Sequence, residues 1–245
     1  MAMKRVELDI TRPPVARLTL SCPDTHNRLS EEMLTELGDA LADAESTAAV
    51  QVLVLAAGGD TFCAGMELDA IETTWRRLIV ALGDLLHRIA TSRLVTIALV
   101  EGAALGGGVG LLAACDQVVA GERATFRMTE VLLGLVPAAV LPVLARRTGH
   151  HSAFGLALTA RELSGAEAVS MGLADVYGDE AELRRILRKL RAADPSALLA
   201  LKEYYAELAP PVRRDELIME VLGRRLADQA VHERLSGLRK QGLIA

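Results

Sequence analysis

The sequence predicts an α/β fold that is followed by a helix-rich region. Strand-like and helix-like segments alternate from the N-terminus to about residue 120, a pattern typical of sheets covered by helices. From Ala138 onward the pattern turns mostly helical. A chain of 245 residues with 51% hydrophobic residues is long and apolar enough to bury a full core. We therefore expect an α/β core at residues 1–183 and a C-terminal helical region at residues 184–245.

The N-terminal segment is expected to form a β-β-α unit. Residues 4–10 and 15–20 are predicted to be paired strands. Ser30, which is followed by two glutamates, is typical of a helix start, because a serine side chain caps backbone N–H groups and acidic groups favour the first turn. This helix is predicted to reach about Ser46.

Further strands and helices alternate after this unit. Runs of aliphatic and β-branched residues predict buried strands, and the segments between them predict helices. In chain order we expect a strand at 50–57, a helix at about 69–91, a strand at 94–100, a short helix through Ala114 and a strand at 117–120.

Helix boundaries are also marked in the C-terminal part of the chain. Ser164 and Glu167 match a capping box, in which each side chain bonds to the backbone of the other residue. Gly172 is a typical helix stop. Pro210-Pro211 should break the helical run, and a final pair of amphipathic segments is expected after it.

Composition and charge exclude several classes of function. Aromatic residues make up only 3% of the chain and the net charge is −5, which argues against nucleic-acid binding. The longest uncharged stretches, 102–115 and 131–145, are too short to span a bilayer. The N-terminus alternates like a strand and lacks the apolar core of a signal peptide, so we expect no membrane insertion and a cytoplasmic location.

The cysteines do not indicate a disulfide framework or a metal site. Cys22, Cys63 and Cys115 are odd in number, widely separated and without paired metal-ligand spacing. They are predicted to be reduced and mostly buried thiols, and no metal is expected.

A glycine-rich turn is the first candidate for chemistry. Gly106, Gly107 and Gly108 precede an apolar, helix-like run, where backbone N–H groups would collect partial positive charge. Such a site suits a carbonyl oxygen that becomes an enolate. The alternative is a close-packed strand-to-helix turn without a chemical role. Glu130, which lies 20 residues beyond Gly110, is the candidate acid/base group.

Five segments in this order and spacing resemble the crotonase, or enoyl-CoA hydratase/isomerase, family over nearly the whole chain. They are Asn27-Arg-Leu-Ser, Phe62-Cys-Ala-Gly-Met-Glu-Leu, Gly102 to Asp116, Glu130 to Pro137, and Leu158-Thr to Gly172-Leu-Ala-Asp-Val.

The resemblance implies a fold, a substrate class and site residues. The fold would be a spiral of β-β-α turns with a C-terminal helical region that supports trimers, often paired into hexamers. The substrates would be acyl thioesters of CoA or acyl carrier protein (ACP), with no cofactor beyond the phosphopantetheine arm. The oxyanion hole would consist of the backbone N–H groups of Met66 and Gly107, and Glu130 would exchange the α-proton.

The sequence departs from the family pattern at Gly110. Hydratases of this family carry a second glutamate at this position, which activates or releases water. With glycine there, the chemistry must use one carboxylate. Two reactions fit: a double-bond shift in which Glu130 carries a proton between two carbons, and a syn elimination in which it takes the α-proton and then protonates the departing hydroxyl.

The segment Pro137-Ala-Ala-Val-Leu-Pro resembles a polyketide-associated branch of the family. Enzymes of this branch dehydrate 3-hydroxy-3-methylglutaryl-ACP (HMG-ACP) to 3-methylglutaconyl-ACP in β-branching. This reaction is the function that we expect. The alternatives are a Δ3-Δ2 enoyl-CoA isomerase, a non-catalytic partner subunit with the same fold, and a decarboxylase of the same biosynthetic cassette.

Six basic residues are candidates for substrate binding. Arg76, Arg77 or His87 would meet the distal carboxylate of a glutaryl substrate, and Arg28, Arg239 or Lys240 would meet the phosphate of phosphopantetheine. The alternative for each is an ordinary role on the solvated surface.

Overall fold

The computed structural model describes residues 4–68, 71–208, 215–242 and 244. In chain order its strands are β1 (Val6–Arg12), β2 (Val15–Leu20), β3 (Val52–Ala57), β4 (Thr61–Cys63), β5 (Val95–Val100), β6 (Ala103–Leu105), β7 (Gln117–Ala120), β8 (Thr125–Arg127), β9 (Leu163–Ser164) and β10 (Val176–Tyr177). Its helices are α1 (Glu31–Ser46), α2 (Ile71–Thr91), α3 (Gly107–Ala114), α4 (Leu141–Thr148), α5 (His150–Thr159), α6 (Gly165–Ser170), α7 (Glu180–Ala192), α8 (Pro195–Leu208), α9 (Asp215–Leu226) and α10 (Gln229–Lys240).

The aliphatic strands form one sheet in the order β1-β2-β3-β5-β7-β10. The β1–β2 pair is antiparallel, and the remaining pairs are parallel. Alternate residues of β3 enter different apolar clusters: Leu53 and Leu55 join the cluster that contains α1 and α2, whereas Val52 and Val54 pack with Leu183 of α7. The sheet is therefore covered on both faces, which explains why its central strands are continuously apolar.

A second sheet has the order β4-β6-β8-β9, and its first three strands are parallel. Each of these three short strands follows a strand of the large sheet along the chain, and helices follow β4 and β6. The chain thus repeats a β-β-α turn, and the predicted spiral is confirmed. Successive turns lie so close that a Cβ on Gly102 would be 2.2 Å from Asp60 O.

Most predicted boundaries agree with the structure to within two residues. The first strand runs over Val6–Arg12 rather than 4–10, and β3 begins at Val52 because the Val50 N–H donates to Thr47 O in the preceding turn. Helix α2 is described from Ile71, and the predicted start at Asp69 lies outside the described residues.

The predicted caps are present. Ser30 Oγ accepts a hydrogen bond from the Met33 N–H at the start of α1. Ser164 and Glu167 form the capping box of α6, and Gly172 adopts a left-handed φ of +77° directly after this helix.

The C-terminal region is helical, as predicted. The expected boundary between residues 183 and 184 lies within α7, whose Leu183 is fully buried, and the division into two regions stays a prediction. The predicted break at Pro210-Pro211 lies outside the described residues. Every helix in the described part of the chain is too short or too polar to cross a bilayer.

Asn27 ties together the loops that lead to the second sheet. Its side chain is fully buried and its backbone has a left-handed φ of +52°. Its Oδ1 accepts from the Cys22 N–H at 2.8 Å, and its Nδ2 donates to Gly58 O at 3.1 Å and to Thr61 O at 2.8 Å. One amide group thus satisfies three buried backbone groups, and asparagine also tolerates this backbone conformation.

Replacement of Asn27 by alanine should reduce the free energy of unfolding by about 2–4 kcal/mol, because three buried backbone groups lose their partner. Urea unfolding followed by circular dichroism measures this loss. Asn27→Gly is the matched control for backbone strain, since glycine adopts the same φ without a side chain. A stability of Asn27→Ala that equals the wild type would contradict the assignment.

Candidate active site

One pocket lies between the loop after β4, the start of α3, the segment after Glu130 and helices α2 and α9. Its described lining is mainly aliphatic, and its polar side chains are Thr129, Glu130 and the indole of Trp75. The lining residues are Ala64, Gly65, Met66, Leu68, Ile71, Trp75, Ile79, Leu82, Gly106, Gly107, Thr129, Glu130, Leu133, Leu135, Val136, Pro137, Ala138, Ala139, Val140, Leu222 and Leu226. The pocket therefore joins elements that are far apart in sequence.

Two glycine turns bring Met66 and Gly107 together. Gly65 has a φ of +86° and Gly106 a φ of +46°, conformations that glycine adopts with little strain. A Cβ on Gly65 would be 3.7 Å from Gly107 N, and a Cβ on Gly107 would be 3.6 Å from Met66 Cγ. Met66 and Gly107, which are predicted to supply the two backbone donors, are thus neighbours in the pocket wall.

The backbone around these two positions is fixed, but their own N–H groups are available. The Leu29 N–H donates to Gly65 O at 2.8 Å, and the Gly106 N–H donates to Arg127 O at 2.9 Å. Among the hydrogen bonds between described residues, none uses the N–H of Met66 or of Gly107. The two N–H groups thus meet one requirement of an oxyanion hole, and this role stays a prediction.

Glu130 begins a 3-10 turn, Glu130–Leu133, that ends at Gly134. The Leu135 N–H donates to Glu130 O at 2.9 Å and closes this turn. The carboxylate points at the glycine turn, since a Cβ on Gly106 would be 3.0 Å from Glu130 Oε1. The predicted acid/base group and the predicted oxyanion donors therefore line the same pocket.

The surroundings of Glu130 keep its carboxyl group partly protonated at neutral pH. Burial raises the pKa of Glu130 to about 7, and hydrogen bonds from backbone groups of Glu130 and Thr129 offset this effect only in part. Its Oε2 atom is buried, and no described residue donates a hydrogen bond to it. A carboxyl group with a pKa near 7 can both take and return a proton under the same conditions.

Position 110 faces apolar side chains. A Cβ on Gly110 would be 3.1 Å from Val140 Cγ2 and 3.2 Å from Leu86 Cδ1. All residues of α3 are buried. The site therefore lacks the second carboxylate and also lacks polar surroundings that would receive one.

The three residues expected to meet a distal carboxylate are placed outside the pocket lining. Arg77 pairs with Glu31 at 3.2 Å, and the Arg76 guanidinium lies 4.5 Å from the ring centroid of the neighbouring Trp75. His87 is half-buried further along α2. No Lys, Arg or His side chain is among the described lining residues, so the walls are uncharged apart from Glu130.

Of the residues expected near the phosphate, Arg239 contacts a residue of the pocket lining. Arg239 Nη2 donates to Leu68 O at 2.7 Å, which places the end of α10 against the loop that carries Met66. Lys240 follows it and is exposed, and Arg28 is half-buried between Asn27 and Leu29. Phosphate binding by these three residues stays a prediction.

Sequence reasoning missed the part that α9 and α10 play in the site. Leu222 and Leu226 of α9 line the pocket, and Gly223 lies against Trp75. Arg225 and Arg234 bind carbonyl groups of the segment that contains Glu130. The spacing of Leu222 and Leu226 marks an apolar helix face, but such a pattern does not identify the surface against which the face packs.

Glu130→Gln should make stability less dependent on pH. The folded protein holds the Glu130 proton more tightly than the unfolded chain does, so the wild type loses stability as pH rises from about 4.5 to about 7. The variant lacks this term, so its free energy of unfolding relative to the wild type should increase by about 3 kcal/mol as pH rises through this range and should level off above the folded pKa. Urea unfolding at a series of pH values measures the difference; parallel curves would show that the carboxyl group is not buried as described.

Known proteins are similar in sequence to most of this chain. The pattern of the enoyl-CoA hydratase/isomerase family matches residues 11–221. The chain is 31% identical over 208 residues to the bacillaene synthase dehydratase PksH of Bacillus subtilis, which covers 82% of this chain and 80% of that protein. It is 32% identical over 191 residues to a peroxisomal Δ(3,5)-Δ(2,4)-dienoyl-CoA isomerase of Arabidopsis thaliana, which covers 71% and 69%.

A solved structure gives the same result for the fold. The crystal structure of an enoyl-CoA hydratase from Mycobacterium avium superposes with a TM-score of 0.88 at 30% identity, over 98% of this chain and 97% of that chain. The chain therefore belongs to the enoyl-CoA hydratase/isomerase family and has the crotonase fold that its sequence predicts.

Proposed function

We propose that the protein dehydrates HMG-ACP to 3-methylglutaconyl-ACP, with Glu130 as its single acid/base group. The observation that carries this proposal is the position of the Glu130 carboxylate, which faces the glycine turn of the predicted oxyanion hole while position 110 faces apolar side chains. The similarity to the bacillaene synthase dehydratase supports elimination as the reaction.

The chemistry requires three contributions from the chain. The N–H groups of Met66 and Gly107 donate hydrogen bonds to the thioester oxygen and stabilise the enolate, each lowering the barrier by about 3 kcal/mol. The Glu130 carboxylate takes a proton from C2. The enolate then forms the C2–C3 double bond as the C3–O bond breaks, and Glu130 returns its proton to the departing hydroxyl, which leaves as water.

The carrier is proposed to be ACP, with a CoA thioester as the alternative. Both present phosphopantetheine, so no further cofactor is needed. Arg239 supports a phosphopantetheine thioester on either carrier, because its contact with Leu68 O places a cation beside the loop that carries Met66. Arg28 and Lys240 are the other proposed phosphate contacts.

The proposed assembly is a homotrimer or a hexamer. Helix α8 exposes large apolar side chains, which supports burial of this surface in an assembly. They are Leu201, Tyr204, Tyr205 and Leu208.

An enoyl-CoA isomerase is the second candidate, and the composition of the pocket favours it. The described lining contains no cation for the distal carboxylate of a glutaryl group, whereas an unsaturated fatty acyl chain matches aliphatic walls. This reaction would use the same oxyanion donors and would move one proton through Glu130. The two candidates thus differ in substrate and not in machinery.

Mass spectrometry of HMG-ACP and HMG-CoA incubated with the protein should show a product lighter by one water, formed from the ACP substrate in preference. Glu130→Gln should reduce this activity at least about 1,000-fold, because no other acid/base group is assigned to the site. Glu122→Gln, which alters an exposed carboxylate in the turn between β7 and β8, is the control and should retain full activity.

Other outcomes decide between the candidates. Conversion of 3-enoyl-CoA without loss of water from either HMG thioester would replace the dehydratase by the isomerase. Dehydration by Glu130→Gln at the wild-type rate would contradict the mechanism. Failure with every thioester would favour a non-catalytic subunit.

Gly110→Glu should destabilise the protein by about 3 kcal/mol or more and should not raise the rate of crotonyl-CoA hydration above that of the wild type, because the side-chain atoms nearest to position 110 are apolar. Gly110→Ala is the control, since its Cβ would approach Val140 Cγ2 to 3.1 Å and Leu86 Cδ1 to 3.2 Å, which requires only small shifts of these side chains. Thermal unfolding and hydration of crotonyl-CoA measure the two effects. Hydration by a stable Gly110→Glu variant at well above the wild-type rate would contradict the apolar character of this position.

A further inference from the structure

Two arginines of the C-terminal helices bind the turn that carries Glu130. Arg225 Nε of α9 donates to Gly134 O at 3.0 Å, and Arg234 Nε of α10 donates to Leu132 O at 2.5 Å. Both carbonyl groups belong to the 3-10 turn that begins at Glu130 and ends at Gly134. The turn is thus held from outside the pocket by two charged donors, which bind carbonyl groups more strongly than neutral donors do.

Gly134 places the turn against α10. It has a left-handed φ of +81°, and a Cβ there would be in ordinary contact with that helix, 3.4 Å from Val231 Cγ2 and 3.5 Å from Arg234 Cδ. The Arg225 guanidinium also pairs with Asp228 at 2.8 Å. The arginine contacts therefore connect α9 and α10 to the turn.

Helix α9 contributes to the pocket and to this contact at once. Leu222 and Leu226 line the pocket wall, and Arg225 lies between them in sequence and reaches the turn. Arg224 of the same helix instead pairs with Glu220 at 3.4 Å, and both of these side chains are largely exposed. The helix thus offers an adjacent arginine without contact to the turn.

We propose that Arg225 and Arg234 are positioning residues for Glu130, which hold its turn by two carbonyl groups so that the carboxylate stays buried against the glycine turn. The inference rests on the proposed acid/base role of Glu130. Without these donors, the turn would loosen and water would reach the carboxylate.

The direct test is a titration of Glu130 in the substrate-free protein by carbon NMR, with the resonance assigned by its loss in Glu130→Gln. In Arg225→Gln and Arg234→Gln the titration midpoint should move down from about 7 by about one unit or more, because hydration favours the charged form. Exchange of the Gly134 and Leu135 N–H groups with solvent should become at least about tenfold faster. If the substrate is identified, kcat should fall about tenfold or more while KM changes less than about threefold.

Matched variants separate positioning from general destabilisation. Arg224→Gln should titrate and exchange as the wild type does. Arg225→Lys and Arg234→Lys keep the charge and one donor, so their midpoints should lie between those of the wild type and the glutamine variants. If a glutamine variant does not fold, the lysine variant at the same position provides the test: a lower Glu130 midpoint than in the wild type supports the inference, and an unchanged or higher midpoint contradicts it.

Several results would overturn the inference. An unchanged Glu130 midpoint with unchanged amide exchange would assign the arginines to stability alone, even if activity fell. An upward shift would show that they act on the carboxylate through their charge. Failure of the proposed function would appear elsewhere, as absence of turnover or as an active Glu130→Gln variant, because the titration requires no substrate.

Discussion

The close approach of two backbone segments is the constraint on which the site depends. The start of α3 lies so near the end of β4 that a Cβ on Gly108 would be 2.6 Å from Cys63 O and 2.8 Å from Cys63 Cβ. No side chain fits there, so glycine is a steric requirement and not only a source of flexibility. This contact puts the N–H groups of Met66 and Gly107 on one pocket wall. The spiral of β-β-α turns is what brings these distant segments together, since β4 and β6 are adjacent parallel strands.

The second feature of the site, the raised pKa of Glu130, follows from burial and has an energetic cost. A charged carboxylate is less stable in this position than in water, so the fold must supply compensating interactions. Closure of the turn by Leu135, packing of Gly134 against α10 and the apolar wall of α9 supply such interactions. The C-terminal helices therefore contribute to the candidate active site and do not only cover the core.

Sequence alone predicts the structural elements that are marked by a local or periodic pattern of residues. Runs such as Val52–Ala57 are apolar on both faces, and Ser164 with Glu167 forms a cap within four residues, so each carries its own signal. The contacts of Arg225 and Arg234 carry none, because their acceptors are backbone carbonyls that any residue provides. The same limit explains why Arg76 and Arg77 were expected in the pocket. The sequence shows their charge, but the direction of their side chains on α2 depends on contacts with Trp75 and Glu31.

Glycine stands at position 110 where hydratases of the family carry a glutamate. This difference affects the path of the proposed reaction and not its equilibrium. An enzyme that eliminates water through one carboxylate must also add water along the same path, so the apolar surroundings of position 110 do not forbid hydration. What they remove is a second group that would hold the attacking water while Glu130 handles the α-proton. In the proposed reaction, proton transfer at C2 is therefore the step that Glu130 and the two backbone donors serve, and the groups on the acyl chain decide the product. A hydroxyl at C3 can leave as water, whereas a double bond between C3 and C4 can shift to C2–C3 through the same enolate.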